Sequence, residues 1–184
     1  MKLPKKYIIY DTEFTSWKGS QERNWNKPNE YRELVAIGAL LINDLKIEKK
    51  FKILCKPRIN NILSEYFINL TGISNEDIKK KGYDFEICLK KFLDFCGNNI
   101  LYSYGNDFHI FDENINLYNL KNFNLNKKMF KDIRPYFDHN NINTKLYSSG
   151  SIYKSVNLRV SVDNIHDPLF DSLSIFKTIK YLEN

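Results

Sequence analysis

Five side chains in this sequence have the types and the spacing for hydrolytic chemistry on a phosphodiester. Asp11 and Glu13 form an Asp-x-Glu pair, Asp107 stands alone, and His166 precedes Asp171 by five residues. Four carboxylates brought to one point repel each other, and such clusters normally exist to hold hard divalent cations through oxygen ligands. A histidine beside two such ions is a natural acceptor for a proton from water. The set reads as a metal-dependent phosphodiesterase centre.

Context has to separate these residues from chance. Asp-x-Glu occurs twice, at Asp11–Glu13 and at Asp84–Glu86. Asp84–Glu86 opens an amphipathic segment and reads as acidic charge at a helix start. Asp11 instead follows the apolar run Tyr7-Ile8-Ile9-Tyr10. In a strand, residues i and i+2 point to one side, so both carboxylates can reach one metal pair. A solvated strand end is the competing account. Five residues of α-helix turn through about 500°, which keeps His166 and Asp171 off a shared helix face. Asp167-Pro168 resolves this as an N-cap followed by proline at the first helical position. His166 then lies on loop chain before the helix. Asp171 lies one turn inside it, where the helix dipole favours an ionised carboxylate. A surface histidine beside a capped helix remains the alternative. Asp107 follows Ile100-Leu101-Tyr102-Ser103 and the turn Tyr104-Gly105-Asn106. That is the carboxyl end of a strand, where open α/β sheets bind ligands. An N-cap aspartate explains it equally well.

The elements that must position these residues follow from periodicity. Strands are expected at Tyr7–Tyr10, Leu34–Ile42 and Lys46–Cys55, the last two joined by a turn at Asn43-Asp44. Phe14 to Tyr31 is polar, carries Trp17 and Trp25, and reads as a long loop. Helices are expected at Ser64–Leu70, from the capped start Ser74-Asn75-Glu76-Asp77, and at Asp84–Cys96. A strand at Asn99–Ser103, a helix at Asp107–Tyr118 and a strand at Met129–Ile133 come next. Pro135–Asn140 and Ser151–Asn157 are weaker helical segments, and Phe170 to Leu182 forms a final helix. This order gives an α/β fold with a mixed sheet and helices on its faces.

Composition sets the bounds. The 184 residues, 42% of them hydrophobic and 27% charged, suit a single globular domain spanning 1–184. No run at the amino end is long enough for a signal peptide or a membrane span. Cys55, Cys88 and Cys96 form no C-x-x-C pair and suggest reduced thiols in a cytoplasmic protein. A net charge of +6 favours a polyanionic partner. A sequence rich in Asn, Lys, Ile and Tyr reaches the same charge without one. Lysines 79 to 81, 127, 128 and 131 read as solvated charge.

Taken in order, Asp-x-Glu, Asp and His-x4-Asp resemble the DEDDh 3′→5′ exonucleases of the ribonuclease-H-like superfamily. The resemblance spans nearly the whole chain. It rests on Tyr7 to Glu13, Arg32 to Ala39, Phe67-Ile68-Asn69-Leu70-Thr71-Gly72-Ile73, Tyr102 to Asp107, Asp132-Ile133-Arg134-Pro135 and His166 to Asp171. The Leu-Thr-Gly-Ile element and the tryptophan-bearing loop are most similar to its exoribonuclease branch. The resemblance implies a five-stranded mixed sheet flanked by helices. It implies that Asp11, Glu13, Asp107 and Asp171 bind two Mg²⁺ or Mn²⁺ ions and that His166 is the general base. It implies release of nucleoside 5′-monophosphates from the 3′ end of single-stranded nucleic acid, RNA before DNA. Thr12, Phe14, Thr15, Trp17 and Asn106 are the expected substrate contacts, with backbone around Thr12 to Phe14 meeting the terminal 3′-hydroxyl. DNA trimming or proofreading, and a non-catalytic nucleic-acid-binding module, are the alternatives. Glu33 stands where related chains often have an acidic residue, though a strand-end glutamate explains it as well. Pro168 and Ser172 depart from the small apolar residues usual around the last motif.

Overall fold

The computed structural model describes residues 2–159 and 166–184. Five strands form one mixed sheet: β1 (Lys6–Phe14), β2 (Leu34–Asn43), β3 (Lys46–Leu54), β4 (Leu101–Ser103) and β5 (Phe130–Asp132). Their spatial order is β3-β2-β1-β4-β5. The first three form an antiparallel meander, and β4 and β5 add to it in parallel. Among the described residues six α-helices accompany them: α1 (Glu65–Thr71), α2 (Asn75–Lys81), α3 (Phe85–Cys96), α4 (Phe108–Leu117), α5 (Arg134–His139) and α6 (Pro168–Glu183). Parallel neighbours need a crossover, and α4 supplies it between β4 and β5.

Apolar side chains of β1 alternate between the two faces of the sheet, as a period of two requires. Ile8 and Tyr10 join Phe85, Leu89, Phe92 and Phe111 on one face. Tyr7 and Ile9 join Tyr136, Phe137, Ile175 and Ile179 on the other. A strand covered on both faces is buried throughout, and β2 is buried at every position but Asn43. None of the described helices is long and apolar enough to cross a membrane. The three cysteines are buried and unpaired.

Several boundaries differ from the sequence expectation, each for a local reason. The β2–β3 turn is Asp44-Leu45, one residue later than expected, because both residues take positive φ (46° and 56°). Two left-handed residues are what a tight hairpin needs to match strand twist. Segment 149–156 is a 3-10 helix. Strand β4 is three residues rather than five. Strand β1 runs on to Phe14, because β2 continues to pair with it as far as Phe14↔Leu34. Its other edge pairs with β4 only at Ile8 and Ile9. Beyond Tyr10, β1 therefore outruns β4 and leaves a notch on that side of the sheet.

Candidate active site

Three elements converge on that notch. Asp11 and Glu13 lie on the overhanging part of β1, inside the strand rather than beyond its end. Asp107 stands before α4, and Asp171 in the first turn of α6. One ligand atom from each of Glu13, His166 and Asp171 lies within 4.8 Å of the others. Asp11 and Asp171 are buried.

Asp107 is not a side-chain cap. It precedes α4 with helical dihedrals, and its side chain makes no capping hydrogen bond. The carboxylate turns instead to β1, where Thr12 Oγ1 donates to Oδ2 at 3.2 Å. Asp167 does cap α6, accepting from the N–H groups of Leu169 (2.9 Å) and Phe170 (3.3 Å). Pro168 occupies the first turn, where its missing N–H costs nothing. His166, just ahead, is half-buried with φ of 73°. Such a dihedral is uncommon outside glycine and often marks a functional position.

The electrostatics are those of crowded, dehydrated acids. Burial raises Asp11 and Glu13 well above the usual carboxylate range, and repulsion from Asp171 and Asp107 raises them further. Burial pushes Asp107 up to about 7, opposed by hydrogen bonds from the hydroxyl and backbone N–H of Thr12. Burial likewise pushes Asp171 up to about 6, against hydrogen bonds from Ser149 and the His166 backbone. Asp171 thus stays mostly ionised at neutral pH, as expected, but burial leaves it a weaker acid than a free aspartate. Burial lowers His166, which favours the neutral imidazole that can accept a proton.

The donor set fits divalent cations. Asp171 Oδ1 is buried with no hydrogen-bond partner among the described residues, while Oδ2 accepts from Ser149 Oγ at 3.0 Å. A buried carboxylate oxygen without a donor is costly unless a cation takes it. Ser149 and Gly150 were not anticipated. A Cβ at Gly150 would lie 2.4 Å from Asp171 Oδ1, so only glycine lets the 149–156 helix approach this close. The short run Ser148-Ser149-Gly150-Ser151 carries no motif that sequence reasoning could have seized on.

The expected substrate contacts divide into two groups. Asn106 is exposed beside Asp107, and Phe14 and Trp17 are half-exposed near the end of β1. Thr15 faces inward, where its hydroxyl donates to Tyr31 O and accepts from Glu33 N. Its side chain pins the 15–33 loop and is not free for substrate. Thr12 spends its hydroxyl and its backbone N–H on Asp107, so its side chain is not free for substrate. Trp25 is a loop anchor: its indole N–H donates to Thr15 O at 3.0 Å, and its ring packs on Phe14 at 5.5 Å under the Arg32 guanidinium. Glu33 is no part of the site. It is fully buried and accepts from the N–H groups of Arg58, Ile59 and Asn60 and from the Tyr118 hydroxyl.

Comparison with known proteins meets this geometry. The family model RNase_T, described as exonuclease, matches residues 8–173 and so takes in all five residues. Human ERI1 exoribonuclease 2 is 31% identical over 87 residues, which is 46% of this chain and 12% of that protein's length. The nuclease domain of 3′hExo, a DEDDh family member bound to rAMP, superposes with a TM-score of 0.78 at 22% identity, covering 97% of this chain and 92% of that one. Cell-death related nuclease 4 gives 0.75 at 17% identity, covering 98% and 64%. E. coli exonuclease I with single-stranded DNA gives 0.69 at 13% identity, covering 98% and 41%. These likenesses show the ribonuclease-H-like fold. With a family match over most of its length and the Asp-x-Glu, Asp, His-x4-Asp signature gathered at one notch, the chain belongs to the DEDDh exonucleases of the RNase_T family, on their exoribonuclease-like side.

Proposed function

We propose that this protein is a metal-dependent 3′→5′ exonuclease that removes nucleoside 5′-monophosphates from single-stranded RNA. One observation carries the reading. Glu13, His166 and Asp171 meet at the overhang of β1 with the charges of Asp11 and Asp107 close enough to act on them, and a buried Asp171 oxygen there has no donor among the described residues. Asp11, Glu13, Asp107 and Asp171 are the residues that would hold two Mg²⁺ or Mn²⁺ ions. When bound, such ions lower the pKa of water and stabilise charge on the attacking and leaving oxygens.

The chain's own residues supply the rest. Neutral His166, kept so by burial, accepts the proton of the attacking water at an imidazole nitrogen. Thr12 orients Asp107, and Ser149 orients Asp171. Backbone at Thr12 to Phe14 meets the terminal 3′-hydroxyl, which gives attack its polarity. Half-exposed Phe14 and Trp17 offer rings for sequence-tolerant stacking of terminal bases. The preference for RNA is supported by the human exoribonuclease relative and by the 3′hExo domain's bound rAMP.

The test uses RNA and DNA strands of one sequence, labelled to show which end is lost, with Mn²⁺, with Mg²⁺ and with chelator. Stepwise loss from the 3′ end, metal-dependent and faster on RNA, is expected. Full activity in chelator would sink the metal reading, equal rates on DNA the RNA preference, and cutting of a circular strand the exonuclease reading.

A further inference from the structure

Arg134 stands outside the carboxylate cluster but on its flank. Strand β5 ends level with β4, pairing Asp132 with Ser103, so Arg134 emerges at the same carboxyl end of the sheet as Asp107. The side chain is held rather than free. Asp132 Oδ1 accepts from the Arg134 N–H at 2.9 Å and from Gly105 N–H at 3.1 Å. The two Asp132 oxygens take Nε at 3.1 and 2.9 Å, and Oδ2 takes Nη2 at 2.7 Å.

The guanidinium therefore lies across Gly105. A Cβ at that glycine would sit 3.7 Å from Cζ and from Nη2, and its φ of 113° already excludes most side chains. What stays open is the Nη1 edge, which makes no hydrogen bond to the described residues. The Arg134 side chain is 45% exposed. Its charge reaches the Asp107 carboxylate and pulls its pKa down, against a larger upward push from its partner Asp132. Lys127 adds a second cation on this flank, its ammonium 5.6 Å from the Phe108 ring, next in sequence to Asp107. Lys131 is exposed on the edge strand between them.

A fixed, forked cation beside a metal-ligating carboxylate suits a phosphate oxygen better than a mobile lysine would. We propose that Arg134 binds the phosphate one step inward from the scissile bond, so that the strand leaves the site along the β5 edge. This rests on the exonuclease reading above.

A purely structural role for Arg134, propping the Gly105 turn that positions Asp107, makes a different prediction. It would damage every substrate alike and would weaken metal binding. The experiment compares two substrates in Mn²⁺: thymidine 5′-(p-nitrophenyl phosphate), which has a single diester and no inward phosphate, and an eight-nucleotide single strand. In Arg134→Gln, the ratio of kcat/KM for the strand to that for the single diester should fall about tenfold, chiefly through KM. The salt slope of strand binding should shrink by about 0.7, the share of one phosphate contact on a single strand. Arg134→Lys should recover part of the ratio by keeping the charge without the fork. Wild type active on both substrates, with an unchanged ratio in Arg134→Gln, would overturn the proposal alone. Wild type inactive on both would overturn the exonuclease reading and this proposal with it.

Discussion

Thr12 and Asp107, 95 residues apart in sequence, are joined by a 3.2 Å hydrogen bond from the threonine hydroxyl to Oδ2 of the aspartate. This bond ties the turn before α4 to the overhang of β1, and so sets the distance between two candidate metal ligands. Replacing Thr12 with valine keeps the β-branched shape and removes the donor. The Asp107 carboxylate loses one of the groups that hold its pKa down. Mn²⁺ affinity, read by calorimetry, should fall by about tenfold, the worth of one hydrogen bond to a charged group. Unchanged affinity would show that Asp107 is positioned by the turn alone.

Acidity in the metal-free site has a definite sign. Asp107 is raised to about 7 and Asp171 to about 6. The folded state therefore holds protons that the unfolded chain has already released, and stability is lost as pH rises from about 4 through 7. In chelator, the protein should melt at a lower temperature at about pH 7.5 than at about pH 5. Mn²⁺ should reverse the order, because its binding displaces those protons. A metal-free protein that is more stable at the higher pH would contradict the crowded-acid account.

His166 and Asp171 should separate by experiment. Asp171→Ala removes a ligand and should lose both Mn²⁺ binding and turnover. His166→Ala should bind Mn²⁺ nearly as well as wild type and turn over about 10²–10⁴ times more slowly, the usual share of general-base catalysis. Wild-type rates in His166→Ala would take the histidine out of the mechanism.

Glu33 should matter for stability and not for chemistry. In Glu33→Gln, an amide N–H₂ would face a backbone N–H that now has a carboxylate acceptor. The loss should be about 1–3 kcal/mol, or about 3–10 °C in Tm for a chain of this size. Mn²⁺ affinity should hold. A large drop in affinity with little change in Tm would return Glu33 to the candidate site.

Much of this was legible in the sequence because it was periodic or short-range. The buried strands announced themselves at Tyr7–Tyr10 and Leu34–Ile42, and the helix at Asp84–Cys96 by its apolar spacing. The Asp167-Pro168 start of α6 was a local signal with a local cause. The illegible parts depend on contacts across the chain. Sequence left Asp107 between cap and ligand, because only its approach to Thr12 shows that the side chain turns away from α4. The roles of Ser149 and Gly150 exist only because their segment meets α6. The β1 overhang follows from where β4 stops pairing, which no property of β1 foretells. Thr15 carried no mark of its inward turn, since a polar loop threonine serves either purpose.

Gly38 bears on the timing of activity. A Cβ there would lie 2.2 Å from the Leu169 nitrogen, so the start of α6 rests directly on β2, where Ser172 also donates to Gly38 O at 3.1 Å. Asp171 thus reaches the other carboxylates only by docking on a finished sheet. A ribosome making this chain places the last acidic residue after every strand has been made. Until that helix docks, the nascent protein has three of the four candidate acids, and the proposed centre is incomplete.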